Sequence, residues 1–326
     1  MHARVPASTG KLVGEVIFAV GIGLVVGNVF RIPESMRAGI KFAFQTLLRL
    51  AIVLLGATFS FGAALSIGGR AIGMVVFLMT LTLSTAWLLG RWLGVPSRLA
   101  ALIGVGTAVC GNTAISATAP VIGARDEETA FAIATNTLFG TLAVFAYPIF
   151  GHALGLGDAA FGTWAGTAVN DTSQVVATGF AYSAAAGNVA TVVKLTRNTL
   201  MGAVILVMGL CFHSGRSASL VQRIRQSVPP FVLGFLGMCV LNSVGAVAAA
   251  SGLLGRDLAS DAQFAAKLLI LIALAGVGVG TRLSAMRTIG LRPFALGLLT
   301  AIVASGTSLL LIRLLGAAAT GSVPAA

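Results

Sequence analysis

The chain has 326 residues, 57% of them apolar and 9% charged, with a mean hydropathy of +0.99 and a formal net charge of +12. A water-soluble domain carries about 25% charged residues, so the composition excludes a disordered chain, a collagen-like fibre, a disulfide scaffold and an ordinary cytosolic enzyme. The 21 Lys and Arg fall mostly in short connections, as basic loops of membrane proteins do, which sets nucleic-acid binding aside.

Spanning the bilayer takes about 20 apolar residues. Runs of that length cover residues 12–30, 39–61, 71–93, 99–124 and 128–152, then 160–183, 188–212, 229–251, 264–282 and 293–315. They predict an all-α polytopic membrane bundle of about 10 transmembrane helices. One transmembrane domain is expected over 12–316, with short tails at 1–11 and 317–326. The runs are too long for barrel strands, so helices must satisfy the backbone. Basic residues in alternate loops put Arg31, Arg37, Lys41, Arg91, Arg98, Arg216, Arg223, Arg225, Arg282, Arg287 and Arg292 on the cytoplasmic side. Arg4, Lys11, Arg70, Arg125, Arg256 and Arg313 then lie opposite, with both termini outside.

The first run faintly resembles a signal peptide but lacks a small-x-small cleavage site, so a retained helix is expected. Its Gly23/Gly27 spacing reads as helix packing, as does Gly162/Gly166 later. Arg49 in the second run and Lys267 in the ninth read as side chains that snorkel to the interface.

The fourth run holds the first chemical signal, Cys110-Gly111-Asn112-Thr113-Ala114-Ile115-Ser116. Gly104, Gly106 and Gly111 permit unwinding, and Pro120 lacks an N–H. A helix interrupted within the membrane exposes N–H groups at one half-helix end and carbonyls at the other, which attract anions and cations respectively. The bland alternative is a Gly/Ala-rich helix packed tightly on its neighbours.

The sixth run carries Asn170-Asp171-Thr172-Ser173-Gln174, five polar residues amid an apolar segment. Asp171 is the one clearly central carboxylate; such a charge persists only if paired, hydrated or protonated. In the seventh run Lys194, Arg197 and Asn198 share one helical face, which is expected to point toward Asp171. Two cations against one carboxylate leave a positive excess that an anionic substrate would complete.

His152 and His213 read as interfacial. The three Cys, at 110, 211 and 239, show no metal or disulfide spacing, and no metal or cofactor is expected. No GxxxxGK[ST] motif is present. Glycines of 276–281 (GVGVGT) form a candidate second break.

An internal repeat is read by sliding 50–94 onto 272–316, with 12 identities in 45 positions, among them Gly56/Gly278, Arg70/Arg292 and Arg91/Arg313. These copies lie seven spans apart and would run in opposite directions, a transporter architecture. The two broken segments, by contrast, lie two spans apart. As spans they run in the same direction and cannot be inverted mates unless one is re-entrant; 276–281 is the other candidate mate for 104–107.

Taken together, Cys110 to Pro120, Asn170-Asp-Thr-Ser-Gln-Val-Val176 and Val193-Lys-Leu-Thr-Arg197 resemble the YeiH-type membrane protein family, often labelled sulfate exporters. Arg49 through Phe59 and 138–148 fit as well. That family is distantly similar to sodium–proton antiporters and bile-acid sodium symporters, which implies two inverted five-helix units with crossed broken helices.

These readings make the chain a secondary transporter of a small anion, such as sulfate, a related oxyanion or an organic anion, coupled to H+ or Na+ in the plasma (inner) membrane. The expected substrate-binding residues are Cys110, Gly111, Asn112, Thr113, Ser116, Asn170, Thr172, Gln174, Lys194 and Arg197, with Asp171 taking the coupling ion. The alternative is a passive anion channel or facilitator. An enzyme is not expected, for want of a nucleophile–base pair. The partners are then substrate, coupling ion and lipid bilayer, with a homo-oligomer compatible.

Overall fold

A computed structural model describes residues 7–30, 32–212, 230–281 and 290–315. These are 88% helical with no strand. The helices are α1 (Ala7–Val29), α2 (Glu34–Phe42), α3 (Leu48–Leu55), α4 (Phe61–Trp92), α5 (Ser97–Ala108), α6 (Asn112–Ile122), α7 (Asp126–Ala153) and α8 (Asp158–Ala168). They continue with α9 (Thr172–Tyr182), α10 (Ala184–Thr199), α11 (Met201–Cys211), α12 (Pro230–Ser243), α13 (Ala246–Leu254), α14 (Leu258–Gly280) and α15 (Leu291–Leu315). Six spans among the described residues are long and apolar enough to cross a membrane, or seven if α12 and α13, bent by 71°, count as one.

The described helices group into two compact units, one of α1 to α3 with α12 to α14, the other of most of α4 through α11 with α15. In the first, α14 is the central helix, packed on α1 and α3. Gly23 and Gly27 let α1 close on α14: a Cβ on Gly23 would stand 2.3 Å from the Ala275 carbonyl oxygen, and one on Gly27 as near that of Val279. Small residues allow this backbone approach, which membrane helices use in place of a hydrophobic driving force. The glycines at 276 and 278 serve packing: among the described residues the helix α14 runs without interruption to Gly280 and ends at Thr281, whose backbone is extended. Lys267 does more than snorkel, since its Nζ lies 3.0 Å from Glu15 Oε2. Of the 272–316 repeat copy, residues 282–289 and 316 lie outside the described residues, as do Arg216, Arg223, Arg225 and His213.

The second unit departs from a simple succession of spans. Helix α5 runs antiparallel to α4, with Gly90 against Ala100 and Gly104 against Ala86. The chain then turns at 109–111, and α6 comes back. Its last turn brings Gly123 beside the guanidinium of Arg98, at the start of α5. Helix α7 begins at that same end. At its far end, Gly151 packs on Phe161 and Tyr182. There α8 sets out, turns at 169–171, and returns as α9. The Ser183 hydroxyl, just past α9, donates to Asp158 Oδ1 at 2.6 Å, and the Tyr182 hydroxyl donates to the Leu156 carbonyl. Helix α10 confirms the fold-back: Gly162 and Gly166 of α8 meet it at Val189 and Val193, running parallel, whereas Gly179 of α9 meets Gly187 and Thr172 meets Asn198, running antiparallel.

The runs 99–124 and 160–183 are therefore re-entrant hairpins, not the single spans expected, and they enter from opposite ends of α7. At 1.5 Å per residue each 11- or 12-residue limb is about 16–18 Å long, half of a ~30 Å hydrocarbon layer. The first hairpin also moves Arg125 to the same end as Arg91 and Arg98.

Candidate functional site

The two hairpin tips meet. Gly111, with φ +68° and ψ −129°, makes the first turn in a conformation that side chains rarely adopt, and a Cβ there would stand 2.9 Å from both Cα and Oδ2 of Asp171. Glycine is thus needed at this tip twice over. At the second tip Asp171 is the N-cap of α9. Its Oδ1 accepts from the backbone N–H of Ser173 at 3.0 Å and the Ser173 hydroxyl at 2.8 Å, while its own N–H donates to Gln174 Oε1 at 3.3 Å. One carboxylate oxygen caps its own helix, and the other faces the opposing tip. The N-terminus of α6 has no side-chain cap.

Each tip also leaves a helix C-terminus whose carbonyls lack helical partners and carry a partial negative charge. Lys194 and Arg197 cover both. Lys194, 0% exposed, donates from Nζ to the carbonyls of Val109 (2.8 Å), Val169 (3.1 Å) and Asn170. Arg197, 2% exposed, reaches Ala108 from Nε at 3.1 Å and Thr107 from Nη2 at 2.5 Å. Its Nη1 reaches Gly166, Thr167 and Val169 at 3.1, 2.7 and 3.0 Å. The shared face of α10 does point inward, but its cations lie on carbonyls of α5 and α8. Neither forms an ion pair with Asp171 among the described residues. The three hydrogen bonds of the Lys194 ammonium all run to backbone carbonyls at the two tips. The physical reason is that a buried cation must be paired, and two helix C-termini are nearer to hand than one carboxylate.

The other expected site residues divide by exposure. Thr113 and Ser116 lie exposed on α6, and Asn112, Asp171 and Thr172 are half-buried. Cys110 is buried with its Sγ 3.4 Å from Met201 Sδ, and Asn170 and Gln174 are buried. Gln174 Nε2 donates to the Thr137 carbonyl at 3.0 Å and to Thr141 Oγ1 at 3.2 Å; Gly140 leaves room for this amide. Among the expected residues, then, the contact between the tips joins Gly111 and Asp171; Asn112 and Thr172 begin the returning limbs and are bound to α7 and α10, and Cys110, Asn170 and Gln174 are buried.

Asn136 and Thr137 of α7 stand outside the expected site, and Asn198 belongs to it only as a neighbour of Lys194. Asn136 Nδ2 donates to Asn112 Oδ1 at 3.0 Å, and Asn198 Nδ2 to Thr172 Oγ1 at 3.3 Å. Each ties the first residue of a returning limb to the span that follows it. A signal for them was present. Gly-Thr-Ala-Val recurs at 106–109 and 166–169, and Asn-Thr-Leu-x-Gly at 136–140 and 198–202. These matches pair hairpin with hairpin and span with span, at a separation of about 60 residues rather than the 222 of the repeat first read.

The family model described as Conserved hypothetical protein 698 matches residues 1–297. A UPF0324 membrane protein of Bartonella henselae is 33% identical over 300 residues, covering 92% of this chain and 84% of that protein. One from Clostridium tetani is 31% identical over 320 residues, covering 94% and 91%. One from Streptococcus agalactiae is 32% identical over 291, covering 88% and 85%. No solved structure matches. With its apolar spans, the molecule is a multi-pass membrane protein. The chain belongs to the conserved hypothetical protein 698 family of UPF0324 membrane proteins, the YeiH-type group that its three motifs resemble.

Proposed function

We propose that the chain is a secondary transporter of a small anion, sulfate or a related oxyanion or organic anion, in the plasma membrane, coupled to H+ or Na+ at Asp171. The observation that carries this reading is the electrostatic asymmetry of the crossing. The negative ends of α5 and α8 are covered by Lys194 and Arg197, whereas the positive N-terminus of α6 is uncapped beside exposed Thr113 and Ser116. Such an end attracts an anion. Two cations, one carboxylate and paired helix ends leave the crossing one charge positive.

Asp171 Oδ2 already faces that end, so the carboxylate acts as a tethered anion. A proton or sodium ion on it removes the competing charge and lets the substrate anion approach α6. The other charged or titratable groups around it are Lys194 and Arg197 of α10 and Cys110 of the first tip. Hairpins entering from opposite ends of α7 give the symmetry-related elements that alternating access uses. The reading assigns Lys194 and Arg197 to holding the tips and makes the chain a carrier, not an enzyme.

The test is anion uptake into proteoliposomes under imposed proton or sodium gradients. Wild type should accumulate at least one small anion when one gradient is applied, and Asp171→Asn should transport it without dependence on that gradient. Uptake indifferent to both gradients in wild type would select the facilitator reading; no uptake of any anion would overturn transport.

A further inference from the structure

We propose that the second unit carries a site for an anionic phospholipid, with one acyl chain in a groove beside the first hairpin and the headgroup phosphate on an arginine cluster at its mouth. The groove, about 750 Å³ in volume, lies between α4, the start of α5 and α11, and is walled by Val76, Leu83, Trp87, Ala101, Val204 and Met208. The polar groups among its lining side chains are the hydroxyls of Thr80, Ser84 and Ser97, the Cys211 thiol and the Trp87 indole N–H, and the Thr80 hydroxyl is turned back on the Val76 carbonyl. An apolar hollow of this kind offers nothing to the small anion proposed above.

Depth and charge identify the occupant. Along α11 the groove runs from Leu200, next to Met201 on the Cys110 tip, to Phe212. The twelve steps from Leu200 to Phe212 rise about 18 Å, close to the thickness of one leaflet of a ~30 Å core. The outer end lies where α4 gives way to α5, and three arginines gather there. The Arg91 guanidinium stacks 5.4 Å over the Trp87 ring. Arg98 follows the groove residue Ser97, and Arg292 reaches the turn at Gly94, its Nη1 standing 3.3 Å from where a Cβ would be. All three are exposed, and none is in an ion pair among the described residues. Unpaired guanidinium groups at an interface suit a phosphate bidentately. Basic pockets between helices at a membrane face bind anionic headgroups.

The experiment compares phosphatidylglycerol with phosphatidylcholine of identical chains, bound to the purified full-length protein and read by native mass spectrometry. Wild type should retain the anionic lipid by roughly fivefold or more over the zwitterionic one, the gain expected for one surface arginine. The double variant Arg91→Gln, Arg98→Gln should lose that preference and keep weak binding of both lipids. Ala203→Trp, which fills the groove, should lower both. Equal retention by wild type, or preference surviving in the double variant, would overturn the proposal. So would displacement of the lipid by millimolar inorganic phosphate, which would reduce the site to a phosphate patch. If Ala203→Trp fails to fold, the arginine variant alone decides. None of these variants lies at the hairpin tips, and lipid retention is read separately from anion uptake, so the failure of one proposal is distinguishable from the failure of the other.

Discussion

The two hairpins have nearly the same backbone plan and opposite chemistry. Each enters about half a membrane thickness, turns over three residues that begin with the Val of a Gly-Thr-Ala-Val stretch, and is tied by an asparagine to the span that follows. Yet where the first tip has Gly111, with no side chain, the second has Asp171. Where α7 offers Ala132 and Thr135, the corresponding positions of α10 carry Lys194 and Arg197. The shared part is shape, set by limb length and small residues. The unshared part is the charge at the tips, which Asp171, Lys194 and Arg197 of the second copy supply and whose two cations hold both hairpins. Lys194 and Arg197 each bind backbone carbonyls from both hairpins, so the second copy holds the first in place.

That division can be broken from its strongest link downward. Arg197→Met should have the largest effect. It strands the carbonyls of two buried helix ends, at a cost of at least about 3 kcal/mol, and the protein should fail to survive solubilisation as a monodisperse peak. Arg197→Lys should rescue it only in part, since a three-donor point charge cannot span five carbonyls. Gly111→Ala comes next. Positive φ and the approach of Asp171 should cost more than about 2 kcal/mol, read as a fall in thermal unfolding temperature. Asn198→Ala and Asn136→Ala should each cost about 1 kcal/mol, and by similar amounts if the copies are equivalent. Asp171→Ala should cost about 1 kcal/mol through the lost cap of α9, whereas Asp171→Asn, which still caps, should be nearly neutral. The pair separates capping from ion coupling, because both should abolish gradient dependence.

Much of this was legible in the sequence. Apolar runs gave helices, and polar interruptions at 110–113 and 170–174 marked both tips, because neither segment can stay helical and satisfy its backbone in lipid. What was not legible is direction. A 24-residue apolar run with a central break has the same composition whether its halves continue or fold back. The decision lies in pairings such as Arg98 with Gly123 and Ser183 with Asp158, which join residues about 25 apart. The roles of Lys194 and Arg197 were hidden for a similar reason. A sequence lists carboxylates as partners for cations, but not the carbonyl ends that a break creates, and those ends outcompeted Asp171. Spacing alone could have exposed the 60-residue repeat, whose matches are short and divided between a hairpin and a span.

The anion site proposed at the uncapped α6 end requires that this end be within reach of water. The direct measurement is labelling of Thr113→Cys, in a background with the three native cysteines replaced, by a membrane-impermeant maleimide in sealed vesicles of known orientation. The account predicts reaction from at least one aqueous side, slowed by the transported anion and by no neutral analogue. A cysteine at 113 that is silent from both sides, or labelled at a rate no anion changes, would contradict it.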